Sequence, residues 1–230
     1  AACGWIPFAA TFACFLTRAA DFIRIAAISN SNIKLAGSHA GVSIGEDGPS
    51  QMGLEDLAMF CAQPNFVVLY PCDAVSTWRA TELIANHVGP SYLRTTRPAT
   101  PILYEPSEDF AIGKCKVLRQ NHDDQVTLVA AGITVFEALK ACDTLIRKGI
   151  HVTVIDLFSV QPIDTATLAA CAQKSGGRVL TIEDHYLHGG IGDAVARALA
   201  PHGFIVERLA VDSIPRSGES VQLLEHYSLN

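Results

Sequence analysis

The chain has 230 residues, of which 49% are hydrophobic and 17% charged, and its formal net charge is -6. This length suggests one large or two small domains with real hydrophobic cores, and the composition excludes a disordered protein. Because 17 Lys and Arg stand against 23 Asp and Glu without a basic cluster, nucleic-acid binding is not expected. A membrane span is not expected either, since the longest apolar stretches, such as 5–16, are interrupted and too short.

The seven cysteines are scattered and form no CxxC pair, which argues against a disulfide framework or a zinc site. They are interpreted as small buried hydrophobes in a reducing compartment, which favours a cytoplasmic location. The chain begins at Ala1 without a basic leader and reaches core-like sequence at Trp5. The opening is therefore not typical of a signal peptide, and we interpret the chain as part of a longer one.

Short apolar runs alternate with helical patterns in the first half of the chain, which predicts parallel strands flanked by helices. Apolar residues at helical spacing predict the first helix. The elements predicted in chain order are a helix over 11–29, a strand over 33–37, a Gly-rich loop over 38–51, a helix over 54–61, a strand over 66–70, a helix over 74–88 and a strand over 92–95.

Three prolines, at 98, 101 and 106, interrupt this alternation and are followed by an acidic stretch. Beyond them the alternation restarts, with strands predicted over 126–131, 151–157, 178–183 and 204–210 and helices over 134–147, 163–174 and 190–200. The sequence thus predicts an α/β fold with two three-layer domains and mostly parallel sheets. The domains span 1–105 and 119–230, and 106–118 is the linker.

The loop over 38–51 is the densest polar, Gly-rich stretch and directly follows a predicted strand. Ligands of open α/β sheets bind at the carboxyl ends of the strands, so this position suits a binding site. His39 can donate to an anion or move a proton, and Asp47 can accept a hydrogen bond from a hydroxyl. On residue types alone, a binding loop and a plain surface loop are equally supported.

The loop is part of a longer series of motifs: FAATFACFLTRAADFIRIAA, SHAGVSIGEDGPSQMGLEDLAMF, LRTTRPATPILY, RVLTIEDHYLHGGIGDAV and LAVDSIPRSG. In this order the series resembles the transketolase family of the animal type, over most of its pyrimidine-binding domain and its C-terminal domain. The resemblance implies transfer of a two-carbon ketol group from a ketose phosphate to an aldose phosphate, in the pentose phosphate pathway. It also implies thiamine diphosphate as cofactor and a Mg or Ca ion.

The resemblance further implies roles for individual residues. Phe12 and Phe15 correspond to aromatics around the aminopyrimidine of the cofactor, although as bare residues both fit the buried face of the first predicted helix. Arg18 and Gln51 correspond to polar neighbours of the pyrimidine. Gln51 stands where the yeast and bacterial branch has a histidine.

Three further residues correspond to substrate contacts in the family. Asp47 resembles the catalytic-site carboxylate that binds a substrate hydroxyl, and His39 is the second catalytic candidate. His39 and Arg97 resemble contacts to the substrate phosphate, for which a guanidinium is well suited. By residue type Arg94 is an equal candidate, and the motif favours Arg97.

The family's metal and diphosphate motif lies in a separate N-terminal domain and does not occur in this sequence, so no metal ligand is assigned. The glutamate that activates the cofactor lies just before the point where the sequence begins. We therefore expect the isolated chain to be inactive, and expect a homodimer whose site forms between one subunit's pyrimidine domain and the other's diphosphate domain. His185 and His188 are interpreted as structural or subunit-contact residues, and the C-terminal domain as packing and dimer support.

Three alternatives remain open. The first is a non-catalytic transketolase-like subunit or interaction fragment, the second is the beta chain of a 2-oxoacid dehydrogenase, and the third is a generic flavodoxin-like binding module. The combination of His39, Asp47 and Arg97 argues against the dehydrogenase beta chain, since its substrate site does not need to bind a sugar phosphate. The ordered series of motifs argues against the third.

Overall fold

Two five-stranded sheets organise the chain in the computed structural model, which describes residues 1–230. The first sheet has the order β1-β2-β4-β3-β8 and the second the order β10-β9-β6-β7-β5. All pairs are parallel except β3 with β8 and β5 with β7. The strands are β1 Phe8–Phe12, β2 Lys34–Ser38, β3 Val67–Leu69, β4 Ser91–Arg94, β5 Lys116–Arg119, β6 Val126–Ala130, β7 Val152–Asp156, β8 Ser159–Gln161, β9 Arg178–Tyr186 and β10 Ile205–Val211.

Helices flank both sheets, and three short 3-10 segments connect them to the strands. The α-helices are α1 Ala20–Ile28, α2 Asp56–Cys61, α3 Ala74–Asn86, α4 Thr134–Ile146, α5 Thr165–Lys174, α6 Ile191–Leu199 and α7 Ser220–His226, and the 3-10 segments are Ala13–Ala19, Val42–Asp47 and Ala200–His202. The predicted α/β class with mostly parallel sheets is confirmed. None of these helices has both the length and the apolar character that crossing a bilayer requires.

The start of the first predicted helix is wrong. Thr11 and Phe12 end strand β1, a 3-10 segment follows over Ala13–Ala19, and the α-helix begins only at Ala20. The apolar spacing over 12–19 fits both an α-helix and this arrangement. Parallel pairing of β1 with β2, in the register Phe12 opposite Ser38, decides in favour of the strand.

The boundary between the two halves is less simple than a linker. Lys116, which lies inside the predicted linker 106–118, already begins β5 of the second sheet. Strand β8 follows β7 in the chain but pairs with β3, so the second half supplies an edge strand to the first sheet. The largest hydrophobic cluster likewise joins Phe60 and Tyr92 of the first half to Ile155 and Val195 of the second.

Candidate active site

The loop after β2 leaves the sheet through a left-handed turn. His39 has a φ of 57° and is the first residue beyond the strand. The base of the loop is closed by backbone hydrogen bonds, from the Gly53 amide to the His39 carbonyl (3.1 Å) and from the Gly41 amide to the Gly53 carbonyl (2.7 Å). Its next residues, including Val42 and Ile44, are buried. The loop is therefore an ordered part of the carboxyl edge of the sheet, where ligands of such folds bind.

The predicted aromatic residues lie at this same edge. Because β1 and β2 are paired in parallel, Phe12 at the end of β1 comes next to His39, and their rings stack with centroids 3.7 Å apart and planes at 14°. Phe15 stacks on Phe12 at 5.3 Å, and the Arg18 guanidinium lies 5.1 Å from the centre of the Phe15 ring. Phe12 and Phe15 are only partly buried. They lie at the rim of the site instead of filling a helix's buried face.

Arg97 and Asp47 form the charged part of the site. The Arg97 Nη1 atom donates to Asp47 Oδ2 (3.1 Å) and to the Ile44 carbonyl (3.3 Å), and it lies 3.8 Å from Glu46. The Arg97 side chain remains 45% exposed. A guanidinium with this much exposure and one close carboxylate can still present donors to a bound anion.

His39 lies close enough to this pair to respond to its charges. Burial and the Arg97 charge lower the pKa of His39, while the Asp47 carboxylate opposes them. The imidazole is therefore neutral at pH 7, so that one ring nitrogen donates and the other accepts. Its Nδ1 atom lies 3.1 Å from Ser38 Oγ.

Gln51 is the one predicted residue that the structure does not join to the others. Its backbone amide donates to the Gly48 carbonyl (3.1 Å), and its side chain is partly exposed and makes no hydrogen bond. Its side-chain amide is therefore free to bind a ligand at the far end of the loop.

Arg94 has a different environment from Arg97 and is not available to a substrate. It is fully buried, and its Nε and Nη1 atoms donate to Asp56 (2.9 Å) and Asp184 (2.7 Å). Tyr92 donates to Asp56 (2.6 Å), and Tyr70 donates to Asp184 (3.0 Å). We call Arg94, Asp56, Asp184, Tyr70 and Tyr92 the buried clamp. It ties the first sheet to β9 of the second.

Two neighbours of Asp184 in β9 are also structural. Glu183 accepts from the amides of Ile191 (2.5 Å) and Gly192 (2.9 Å) at the start of α6, and burial raises the pKa of Glu183 to about 8. His185 is buried with Nδ1 2.8 Å from the Tyr186 carbonyl, and burial lowers its pKa. These contacts agree with the structural interpretation of His185, whereas His188 is exposed. No group of three or more His, Cys, Asp or Glu side chains forms a possible metal site.

No pattern in the sequence indicates the buried clamp, because its members come from α2, β4, β9 and the residue after β3, which are far apart in the chain. The residues around Ser217, which contact Gly45 and Gly48 of the loop, were also not assigned to the site from the sequence. Gly45 and Gly48 of the loop approach Gly218 and Ser217 closely, and the motif LAVDSIPRSG contains both of these partners.

Comparison with known proteins identifies the family. Residues 1–102 match the family model of the transketolase pyrimidine-binding domain, and residues 113–230 match that of the transketolase C-terminal domain. The chain belongs to the transketolase family. The expectation from the motifs is thereby confirmed.

Transketolase-family relatives are close to this chain in sequence. Transketolase-like protein 1 of Bos taurus is 54% identical over 98% of the chain, which covers 38% of that protein. Transketolase of Homo sapiens is 50% identical over 98% of the chain and is covered to 36%. The chain thus spans somewhat more than a third of the curated relatives that it matches.

A solved structure titled "Split gene transketolase, inactive beta4 tetramer" has the same fold. It superposes with a TM-score of 0.92 and 36% sequence identity, over the whole of this chain and 74% of the other. The transketolase fold is therefore present over both domains of this chain.

Proposed function

We propose that this chain supplies the pyrimidine-binding half of a transketolase active site, together with the C-terminal domain that accompanies it. The proposal depends on one observation: Phe12, His39, Asp47 and Arg97 come together at the carboxyl edge of the first sheet. The reaction is transfer of a two-carbon ketol unit between sugar phosphates in the pentose phosphate pathway. The location proposed is the cytoplasm.

Thiamine diphosphate supplies, when bound, the thiazolium that stabilises a carbanion next to a carbonyl. The residues of this chain fit the aminopyrimidine end of that cofactor. The partly exposed rings of Phe12 and Phe15 offer faces for stacking, and Arg18 and Gln51 are polar groups with unused hydrogen-bonding capacity nearby. The diphosphate and its Mg or Ca ion are bound by the diphosphate domain of the family.

The charged part of the site binds the sugar phosphate. Arg97 exchanges its exposed contacts with Asp47 and Glu46 for a charge-assisted contact with the phosphate, and the neutral His39 donates a second hydrogen bond. Asp47, released from Arg97, accepts a hydrogen bond from a hydroxyl of the substrate. His39 also moves a proton between the substrate and its surroundings.

The complete site requires a diphosphate domain, and a homodimer brings the two halves together at the subunit interface. Large apolar side chains exposed near the start of the chain support such an interface. They are Trp5, Ile6, Phe8, Phe22, Ile25 and Ile28.

Complementation tests the proposal. The purified chain is mixed with thiamine diphosphate, Mg²⁺ and a separately produced segment of a full-length relative, and ketol transfer is measured. That segment carries the diphosphate domain and continues through the cofactor-activating glutamate to the point where the match to this chain begins. We expect activity in the mixture and none from the chain alone. Activity of the chain alone would overturn the expected requirement for a diphosphate domain. A stable but inactive complex would favour a non-catalytic subunit.

A matched pair of variants locates the phosphate contact. Arg97→Gln raises the KM for the sugar phosphate by about tenfold or more, as expected for loss of a hydrogen bond to a charged group. Arg119→Gln removes an exposed arginine from β5, far along the chain from the loop, and leaves the KM unchanged. Equal KM values for the two variants would exclude Arg97 from the phosphate site.

A further inference from the structure

The underside of the loop over 41–48 is covered by the last residues of the chain. Val42 and Ile44 are buried in a hydrophobic cluster that also contains Leu223, Leu224 and Tyr227. Helix α7 packs directly on the 3-10 segment Val42–Asp47. We call residues 217–229 the support segment. The part of the loop that faces away from the substrate thus belongs to the core of the C-terminal domain.

Two glycines of the loop bring its backbone unusually close to the support segment. Gly45 has a φ of 82°, and a Cβ atom there would lie 3.0 Å from the Gly218 carbonyl oxygen. Gly48 has a φ of 75°, and a Cβ atom there would lie 2.4 Å from Ser217 Oγ. Side chains at these two positions would push the loop away from the C-terminal domain.

The same short segment holds both acceptors of Arg97. The Ile44 carbonyl and the Asp47 carboxylate accept from Arg97 Nη1, while the side chain of Ile44 is buried against the support segment. Ser43 adds a hydroxyl contact to Thr96, next to Arg97 (3.1 Å). A movement of the support segment would therefore move Asp47 and change the contacts of Arg97.

We propose that the support segment is a positioning element of the active site, which fixes Asp47 and Arg97 for binding the sugar phosphate. This inference rests on the proposed function and extends it, because it gives the C-terminal domain a role in substrate binding beyond packing. The residues that act are Leu224, which shares a hydrophobic cluster with Val42 and Ile44, and Gly218, whose carbonyl oxygen lies against Gly45.

Leu224→Ala in the full chain tests the proposal, with Leu168→Ala as its matched control. Both leucines are buried, and both changes remove the same atoms, but Leu168 lies on α5 in a different cluster. Hydrogen exchange of the amides over 42–47 and binding of inorganic phosphate are measured well below the unfolding midpoint.

We expect Leu224→Ala to accelerate exchange over 42–47 by about tenfold or more and to weaken phosphate binding by a similar factor. Leu168→Ala leaves both unchanged, although it also lowers thermal stability. Leu224→Met, which nearly conserves volume, restores both values. Identical behaviour of Leu224→Ala and Leu168→Ala would overturn the proposal.

A second set of variants keeps the proposal testable if Leu224→Ala does not fold. Gly48→Ala places a methyl group against Ser217 Oγ, and Ser217→Ala removes that oxygen. We expect Gly48→Ala to weaken phosphate binding, Ser217→Ala alone to have no effect, and the double variant to recover at least about threefold. Strictly additive effects would show that the contact does not position the loop.

Separate measurements test the proposed function and the role of the support segment. If inorganic phosphate does not bind the wild-type chain, the phosphate site is wrong. The exchange rates over 42–47 in the Leu224 and Leu168 variants still decide whether the support segment fixes the loop.

Discussion

Arg94 ends strand β4 and Arg97 follows it by three residues, but the two arginines have opposite surroundings. Arg94 is inaccessible to solvent and donates to two carboxylates, at 2.9 and 2.7 Å. Arg97 is nearly half exposed and has one close carboxylate, at 3.1 Å. If Arg94 moved away, Asp56 and Asp184 would remain buried without a cation, whereas Arg97 can exchange its exposed partner for a ligand. The two buried carboxylates make Arg94 a structural residue, whereas the exposure of Arg97 allows it to bind an anionic ligand.

The largest expected effect follows from breaking the buried clamp. Arg94→Met leaves Asp56 and Asp184 buried without their cation, and we expect the free energy of unfolding to fall by about 3–5 kcal/mol. Arg97→Met changes it by less than about 1 kcal/mol, because an exposed ion pair contributes little. Urea unfolding of the two variants measures both values. Equal losses would contradict the distinction between the two arginines.

Asp156 offers a buried carboxyl without the cation that the clamp provides. Tyr104 donates to its Oδ2 atom (2.7 Å), and burial raises its pKa to about 7. Because this pKa is raised, Asp156 stabilises the fold most below pH 4 and loses that contribution as pH rises towards 7.

Asp156→Asn removes this dependence. From pH 4 to pH 8, its free energy of unfolding should increase relative to the wild-type chain by an amount on the order of a few kcal/mol. Denaturant unfolding at a series of pH values measures the difference, with the exposed Asp109 changed to Asn as control. A constant difference between Asp156→Asn and wild type would show that Asp156 is ionised in the folded chain throughout this range.

A smaller loss is expected when one hydroxyl is removed from the clamp. Tyr92→Phe deletes the hydrogen bond to Asp56 at 2.6 Å, and we expect a loss of about 1.5–3 kcal/mol because the acceptor is charged. Tyr227→Phe is the control, since its hydroxyl lies 3.3 Å from the neutral Ser213. Urea unfolding of both variants should show the larger loss for Tyr92. The reverse order would argue against a stabilising hydrogen bond from Tyr92 to Asp56.

The smallest expected effect concerns His39. Arg97→Gln removes a positive charge and raises the pKa of His39, while Asp47→Asn removes a negative charge and lowers it. NMR titration of the imidazole resonances measures both shifts, and Arg119→Gln should produce none. Shifts of the same sign in Arg97→Gln and Asp47→Asn would show that His39 does not respond to this pair.

Apolar runs such as 66–70 and 126–131 made most strands of both sheets predictable. Strands β1, β5 and β8 were missed because they are short or, in β1, mostly exposed, and so lack a clear alternating pattern. Helix α7 was missed as well. The apolar spacing around Phe12 is compatible with both a helix and a strand, and only the pairing of β1 with β2 distinguishes the two.

The site was predictable to a different degree. The position of the loop after a strand is visible in the sequence, but the choice of Phe12, Asp47 and Arg97 came from resemblance to a family. The resemblance also favoured Arg97 over Arg94, which residue type alone could not do. The burial of Arg94 depends on Asp56 and Asp184, which are far apart in the chain, so no local pattern indicates it.

Strand β8 connects the two halves of the chain mechanically. It follows β7 of the second sheet in the chain and forms the edge of the first sheet, so hydrogen bonds between β8 and β3 connect the halves in addition to the covalent linker 106–118. A single proteolytic nick in that linker would leave two fragments that remain interlocked, because one carries an edge strand of the other. The two halves should accordingly melt together in one calorimetric transition, and neither should be recoverable as an autonomous folding unit.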